Sequence, residues 1–163
     1  MPGRSASFAV FVALLVFTHL VVHVAFGYGD AAPDFMAVAV LLAARRITGP
    51  RAALLGLGLG LLADSLALTG FGATAVALVV VGWAGARTRD LFEGASYAFT
   101  FAYLCLGKWL VYAIYLLISP DARAGAVRGA LLTTAPLYAL STAVAGVLAL
   151  GAYRLSVGGR YAR

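Results

Sequence analysis

The sequence predicts an all-α integral membrane protein, a bundle of six transmembrane helices whose second helix is short. Three observations predict it. Of 163 residues, 63% are hydrophobic and only 11% are charged, against roughly 45–50% and about 25% in a soluble domain. The mean hydropathy is +0.98, and the apolar residues run along the whole chain instead of gathering in one segment. The arginines fall between the apolar runs, as topology signals do. One membrane domain, residues 1–163, is therefore expected, with no soluble domain.

The first apolar run, Phe8 to Phe26, has 19 residues, close to the roughly 20 that a bilayer core requires. It follows Arg4, but Phe26-Gly27-Tyr28-Gly29-Asp30 is a poor cleavage site, so the run reads as a retained helix. His19 and His23 are four apart and share a helix face. Zinc wants three or four ligands, so two histidines are expected as neutral groups bonded to a neighbouring helix or to headgroups.

The second segment covers residues 33–48, of which only the 12 from Pro33 to Ala44 precede Arg45-Arg46. Twelve helical residues rise about 18 Å against a core of about 30 Å, so it spans only if the arginines snorkel or the bilayer thins. Pro33 suits the first turn of this helix and Asp34 suits the positive end of its dipole.

In the third segment, Ala52 to Leu68, Gly56, Gly60 and Asp64 recur every fourth residue and form one ridge, with Ser65 beside it. Small residues at that spacing let another backbone come close. A carboxylate at the centre of a span costs roughly 2.5–3.5 kcal/mol, so Asp64 either faces the bundle interior or sits hydrated near the outer interface. A turn through Thr69-Gly70 leads to the fourth segment, Phe71 to Ala86, which opens Phe71-Gly72.

The fifth segment, Ala95 to Ile118, holds Lys108 and the single cysteine, Cys105, which has no intrachain partner. Counting from the start of each segment at 1.5 Å per residue puts Asp64 about 18 Å deep and Lys108 about 20 Å deep. The expectation is that these two opposite charges pair inside the bundle. The other possibility is that Lys108 snorkels to the nearer interface. The sixth segment, Gly129 to Tyr153, contains Pro136, expected to kink it, with Thr133 and Thr134 able to satisfy the freed backbone groups.

With six spans and both termini cytoplasmic, the inside holds Arg4, Arg45, Arg46, Arg51, Arg87, Arg89, Arg154, Arg160 and Arg163, and the outside only Arg123 and Arg128. Nine against two is a strong positive-inside bias. A five-span alternative, in which the second segment dips in and returns, gives eight against three. The net charge of +6 is thus explained by topology, and no nucleic-acid partner is expected. No nucleophile with a histidine partner, phosphate-cradling loop or carboxylate pair stands out, so neither an enzyme nor a cofactor is expected.

The run from Pro33 to Arg87 resembles the rod shape-determining MreD family. The matching residues are Pro33-Asp34, Arg45-Arg46, the stretch Gly56-x-x-x-Gly60-Leu61-Leu62-Ala63-Asp64-Ser65, Gly70-Phe71-Gly72, and Gly82-Trp83-Ala84-Gly85-Ala86-Arg87. Gly70-Phe71-Gly72 departs slightly from the Pro-Leu-Gly often found in the family, and Lys108 has no counterpart to carry over. The resemblance implies a non-enzymatic protein of the bacterial cytoplasmic membrane, in the cell-wall elongation machinery. Its partner would be the single-span protein MreC, and together they would link MreB filaments to the RodA glycosyltransferase and a class B penicillin-binding transpeptidase. The family fold resembles the substrate-binding subunits of energy-coupling-factor transporters. That likeness implies an alternative, a small-solute-binding membrane subunit with Asp64, Lys108 and aromatic residues around a pocket. For the scaffold, the helix-packing or partner-binding candidates are Pro33, Asp34, Gly56, Gly60, Asp64, Ser65, Gly70, Gly72 and Lys108.

Overall fold

The computed structural model describes residues 2–25, 32–66, 71–89, 96–119 and 129–158. Among them the regular structure is entirely helical. Helix α1 (Pro2–Leu20) runs into a π-helical turn at Val21–Ala25. Then come α2 (Phe35–Ala44), α3 (Gly49–Leu66), α4 (Ala73–Arg87) and α5 (Tyr97–Ile118). A second π-helical turn, Ala130–Thr134, leads into α6 (Ala135–Gly158).

Helix α2 is the axis of the bundle. Its sequence, FMAVAVLLAA, is apolar on every side, and a helix of that kind is stable only where it is covered all round. Every residue from Met36 to Ala44 is at most 5% exposed, and α2 packs against each of the other five helices. Its ten residues rise about 15 Å, half of a bilayer core. Being sheathed in protein, it need not reach both interfaces, because irregular backbone at membrane depth is tolerated where protein surrounds it. Pro33 lies outside the helix, two residues before Phe35, and Asp34 is the N-cap, its carboxylate accepting from the Ala37 N–H. The expected place for Pro33 in the first turn is therefore corrected. The cap is a side chain that replaces an orphan-donor partner, and the proline precedes it.

Helices α3 and α4 make the closest pair. A β-carbon at Gly56 would fall on the Leu78 carbonyl, and one at Gly60 on the Ala75 backbone. In return, a β-carbon at Gly82 of α4 would come within 2.8 Å of the Ala52 carbonyl. Glycines also admit α2 and its neighbours elsewhere, with Leu41 seated on Gly107 and Val38 on Gly146.

Pro136 stands where the last helix passes from π to α winding. The Ala135 N–H reaches back five residues to the Ala130 carbonyl. Pro136 has no N–H to offer the next carbonyl in that series, Leu131, and the Trp109 indole of α5 donates to it at 3.3 Å. Thr133 bonds the Gly129 carbonyl at 2.7 Å, which the proline does not free, so the expected relief by the threonines is corrected to the Trp109 indole. The proline is thus absorbed by a change of winding and a cross-helix donor.

Among the described residues three stretches are long and apolar enough to cross a membrane, Ala6–His23, Tyr97–Ile118 and Ala130–Val157, and α2 and α4 are shorter apolar helices. Val10, Leu14 and Phe17 of α1 and Leu137, Leu140, Val144 and Leu148 of α6 are exposed on the outside of the bundle, the inverse of a water-facing surface. One end gathers the arginines on aromatic rings. Arg46 lies 3.7 Å from the Phe8 centroid, Arg87 4.7 Å from Trp83, Arg154 5.1 Å from Tyr97 and Arg45 5.7 Å from Tyr103. Each ring holds a guanidinium by its negative face.

Candidate functional site

The opposite end of the bundle carries the polar interior. The π-helical turn that closes α1 contains His23, whose Nδ1 lies 3.2 Å from the His19 carbonyl. The two imidazoles stack with centroids 3.9 Å apart and an interplanar angle of 19°. Wide turns of this kind recur at functional sites because they re-aim side chains out of the ordinary register. His19, on the last turn of α1 and 8% exposed, lies against the start of α2.

Asp34 is the hub. One carboxylate oxygen, Oδ1, caps α2 through the Ala37 N–H at 3.0 Å and lies 3.6 Å from His19 Nδ1. The other, Oδ2, accepts from the Lys108 ammonium of α5 at 2.7 Å. The Asp34 backbone N–H donates to the Thr142 hydroxyl of α6 at 3.1 Å. One residue therefore ties α2 to α5 and α6 and lies against α1. Both members of the ion pair are only about one-seventh exposed, 15% for Asp34 and 14% for Lys108, so their neutralisation is mutual. An unpaired charge at that depth would cost several kcal/mol.

Asp64 does not meet Lys108, and the expected pair is corrected. Its side chain turns toward the first turn of α4, where Oδ2 accepts from Gly72 N at 3.0 Å and Ala75 N at 2.9 Å, and Oδ1 accepts from Thr74 N at 3.2 Å. The first N–H groups of a helix have no intrahelical partner and carry the positive end of its dipole. Asp64 serves as a remote cap for α4, supplied by the preceding helix. It is 1% exposed, so a hydrated interfacial carboxylate is also ruled out. Gly72, the N-cap of α4, sits at φ 93°, a left-handed backbone that favours glycine. The partner that the sequence assigned to Asp64 is replaced by three backbone donors at the start of α4.

Of the other candidates, Gly56 and Gly60 lie on the α3–α4 seam. Ser65 is exposed and returns its hydroxyl to the Leu62 carbonyl at 2.7 Å. Gly70 lies outside the described residues. Thr142 and His19 are the members of the polar cluster that sequence reasoning did not place there. One signal could have found the cluster. A second helix too short to span must begin below the interface, which puts Asp34 at the depth of Lys108.

A cavity of about 520 Å³ opens beside this cluster. Its polar wall is His19, His23, Asp34, Thr74 and Lys108, and its aromatic wall is Tyr112, Tyr115 and Tyr138. Among the described residues no group of three His, Cys, Asp or Glu could hold a metal ion. No family model, no curated protein and no solved structure matches the chain.

Proposed function

We propose that the chain is a non-enzymatic membrane scaffold of the bacterial cell-wall elongation complex, binding an MreC-like single-span protein in the cytoplasmic membrane. The observation that carries this reading is where the residues of the MreD resemblance fall in the bundle. Asp34 caps the buried central helix. Gly56 and Gly60 are the points of closest backbone approach, Asp64 caps α4 from α3, and Gly72 supplies the left-handed turn between them. These residues do the work of assembling a rigid helical body, which is what a scaffold offers. The six-span topology, the cytoplasmic termini and the further link to MreB, RodA and a class B penicillin-binding transpeptidase belong to the same proposal. A single-span helix would dock on the apolar outer faces of the bundle by packing, since no hydrophobic driving force acts between helices in lipid.

The test is co-purification. The tagged chain, expressed from its own genome and extracted in mild detergent, is expected to bring down a single-span protein with a periplasmic coiled coil in stoichiometric amount. Recovery of the chain alone from such an extract would overturn the scaffold reading. The cavity favours a second reading, a solute-binding membrane subunit of the energy-coupling-factor type. It is distinguished by co-purification with an energising partner in place of an MreC-like one.

A further inference from the structure

The cavity beside α2 has a chemistry of its own, and donors dominate it. Lys108 directs its ammonium to one protein acceptor among the described residues, Asp34 Oδ2, and an ammonium has three N–H groups to place. The buried His19 Nδ1 has no hydrogen-bond partner, the one such buried side-chain atom among the described residues. It lies 3.6 Å from Asp34 Oδ1, beyond hydrogen-bond distance, and is a donor in the tautomer that carries its proton there. The carboxylates, by contrast, are already occupied. Both oxygens of Asp34 are engaged, one by Ala37 N–H and one by Lys108. Both oxygens of Asp64 are taken up by the start of α4. A cationic ligand would meet Lys108 and find no free carboxylate among the described residues. A ligand that brings its own oxygens would find donors in place.

The remainder of the cavity fits a flat apolar body. Tyr112 and Tyr138 cross edge to face with centroids 5.7 Å apart, and Tyr115 lines the same space. A volume of about 520 Å³ lies within the roughly 300–1,000 Å³ of small-molecule pockets, which are mostly apolar with a few convergent polar groups. We propose that this cavity binds a small organic acid, its carboxylate on Lys108 and His19 and its aromatic or similarly flat body against Tyr112, Tyr115 and Tyr138. Burial of the acid there gives the Lys108 ammonium a second acceptor and leaves the cap on α2 untouched.

The inference rests on the cavity and holds under either reading of the whole chain. It is tested on the purified full-length chain in detergent by equilibrium dialysis of labelled benzoate, with empty micelles as the blank. Binding is expected to saturate near one equivalent. Unlabelled benzoate is expected to compete at least tenfold better than benzamide or benzylamine, which share its ring and differ in charge. In the double variant Asp34→Asn with Lys108→Met, which removes the charge pair without stranding either member, affinity for benzoate is expected to fall at least tenfold. The wild-type arm decides the matter even if that variant does not fold. Signal no greater than in empty micelles, benzylamine or benzamide competing as well as benzoate, or unchanged affinity in a folded double variant would each overturn the proposal. Failure here leaves the co-purification result untouched, and the reverse is equally true.

Discussion

Asp34 combines two roles that pull on different parts of the molecule, a cap for α2 and the counter-ion of Lys108, and substitutions separate them. Lys108→Met leaves a carboxylate buried without its counter-charge. Breaking a buried pair from one side typically costs about 3–5 kcal/mol. Thermal unfolding of the detergent-solubilised protein is expected to show a large drop for Lys108→Met. Most of that drop is expected to be recovered when Asp34→Asn is added, since Asn still caps a helix. If the double variant is less stable than Lys108→Met alone, the pair is not what holds this corner together. The same logic redirects a charge swap between Asp64 and Lys108, which share no contact, and no rescue is expected from it. At this scale the sequence announced that Asp64 and Lys108 were costly and in need of partners, and it set Asp34 at the positive end of the α2 dipole without joining it to Lys108. It could not name those partners, because backbone N–H groups at a helix start leave no mark in residue type.

The α3–α4 seam sets the helix-scale behaviour, and its glycines are not equivalent. Gly56 and Gly60 face backbone of α4 with no room for a methyl group. Gly58 lies two residues away on the same helix, exposed, with nothing within 4 Å of where a β-carbon would go. Overpacking typically costs about 1–3 kcal/mol, whereas glycine in an open helical position is up to about 1 kcal/mol worse than alanine. Gly56→Ala and Gly60→Ala are each expected to lower the unfolding midpoint, and Gly58→Ala to leave it level or raise it. Equal losses at all three positions would show that the seam is not close-packed. The four-residue spacing made this ridge legible in the sequence, and its extension to Asp64 held, since that side chain also turns to α4. The two π-helical turns were not legible. One holds His23, stacked on His19 of the same segment, and the other leads into Pro136, where Trp109 reaches the Leu131 carbonyl from a helix 22 residues away in the chain.

For the whole molecule, the decisive quantity is the short length of α2 against its complete burial. A helix of ten residues that touched lipid would leave its ends unsatisfied in hydrocarbon. Sheathed by five others, it can start deep, at the polar cluster, and end among the arginines that lie on Phe8 and Tyr103. That arrangement lets the second segment serve in the proposed six-span topology without demanding thirty ångströms of helix. It also predicts sidedness. In a Cys105→Ala background, Thr48→Cys, just past the arginine end of α2, is expected to react with a membrane-impermeant maleimide only after the membrane is permeabilised. Phe71→Cys, 73% exposed at the start of α4, is expected to react in intact cells. The two positions lie at opposite ends of α3, so labelling of both from the outside is incompatible with that helix crossing. External labelling of Thr48→Cys alone would place the arginine-ringed end outside and invert the bundle. The five-span arrangement instead keeps α3 a crossing helix and removes α2 as one. It is told from six spans by the N-terminus, which a cysteine at Ser5 reports as accessible from outside only if α2 returns to the side it entered from.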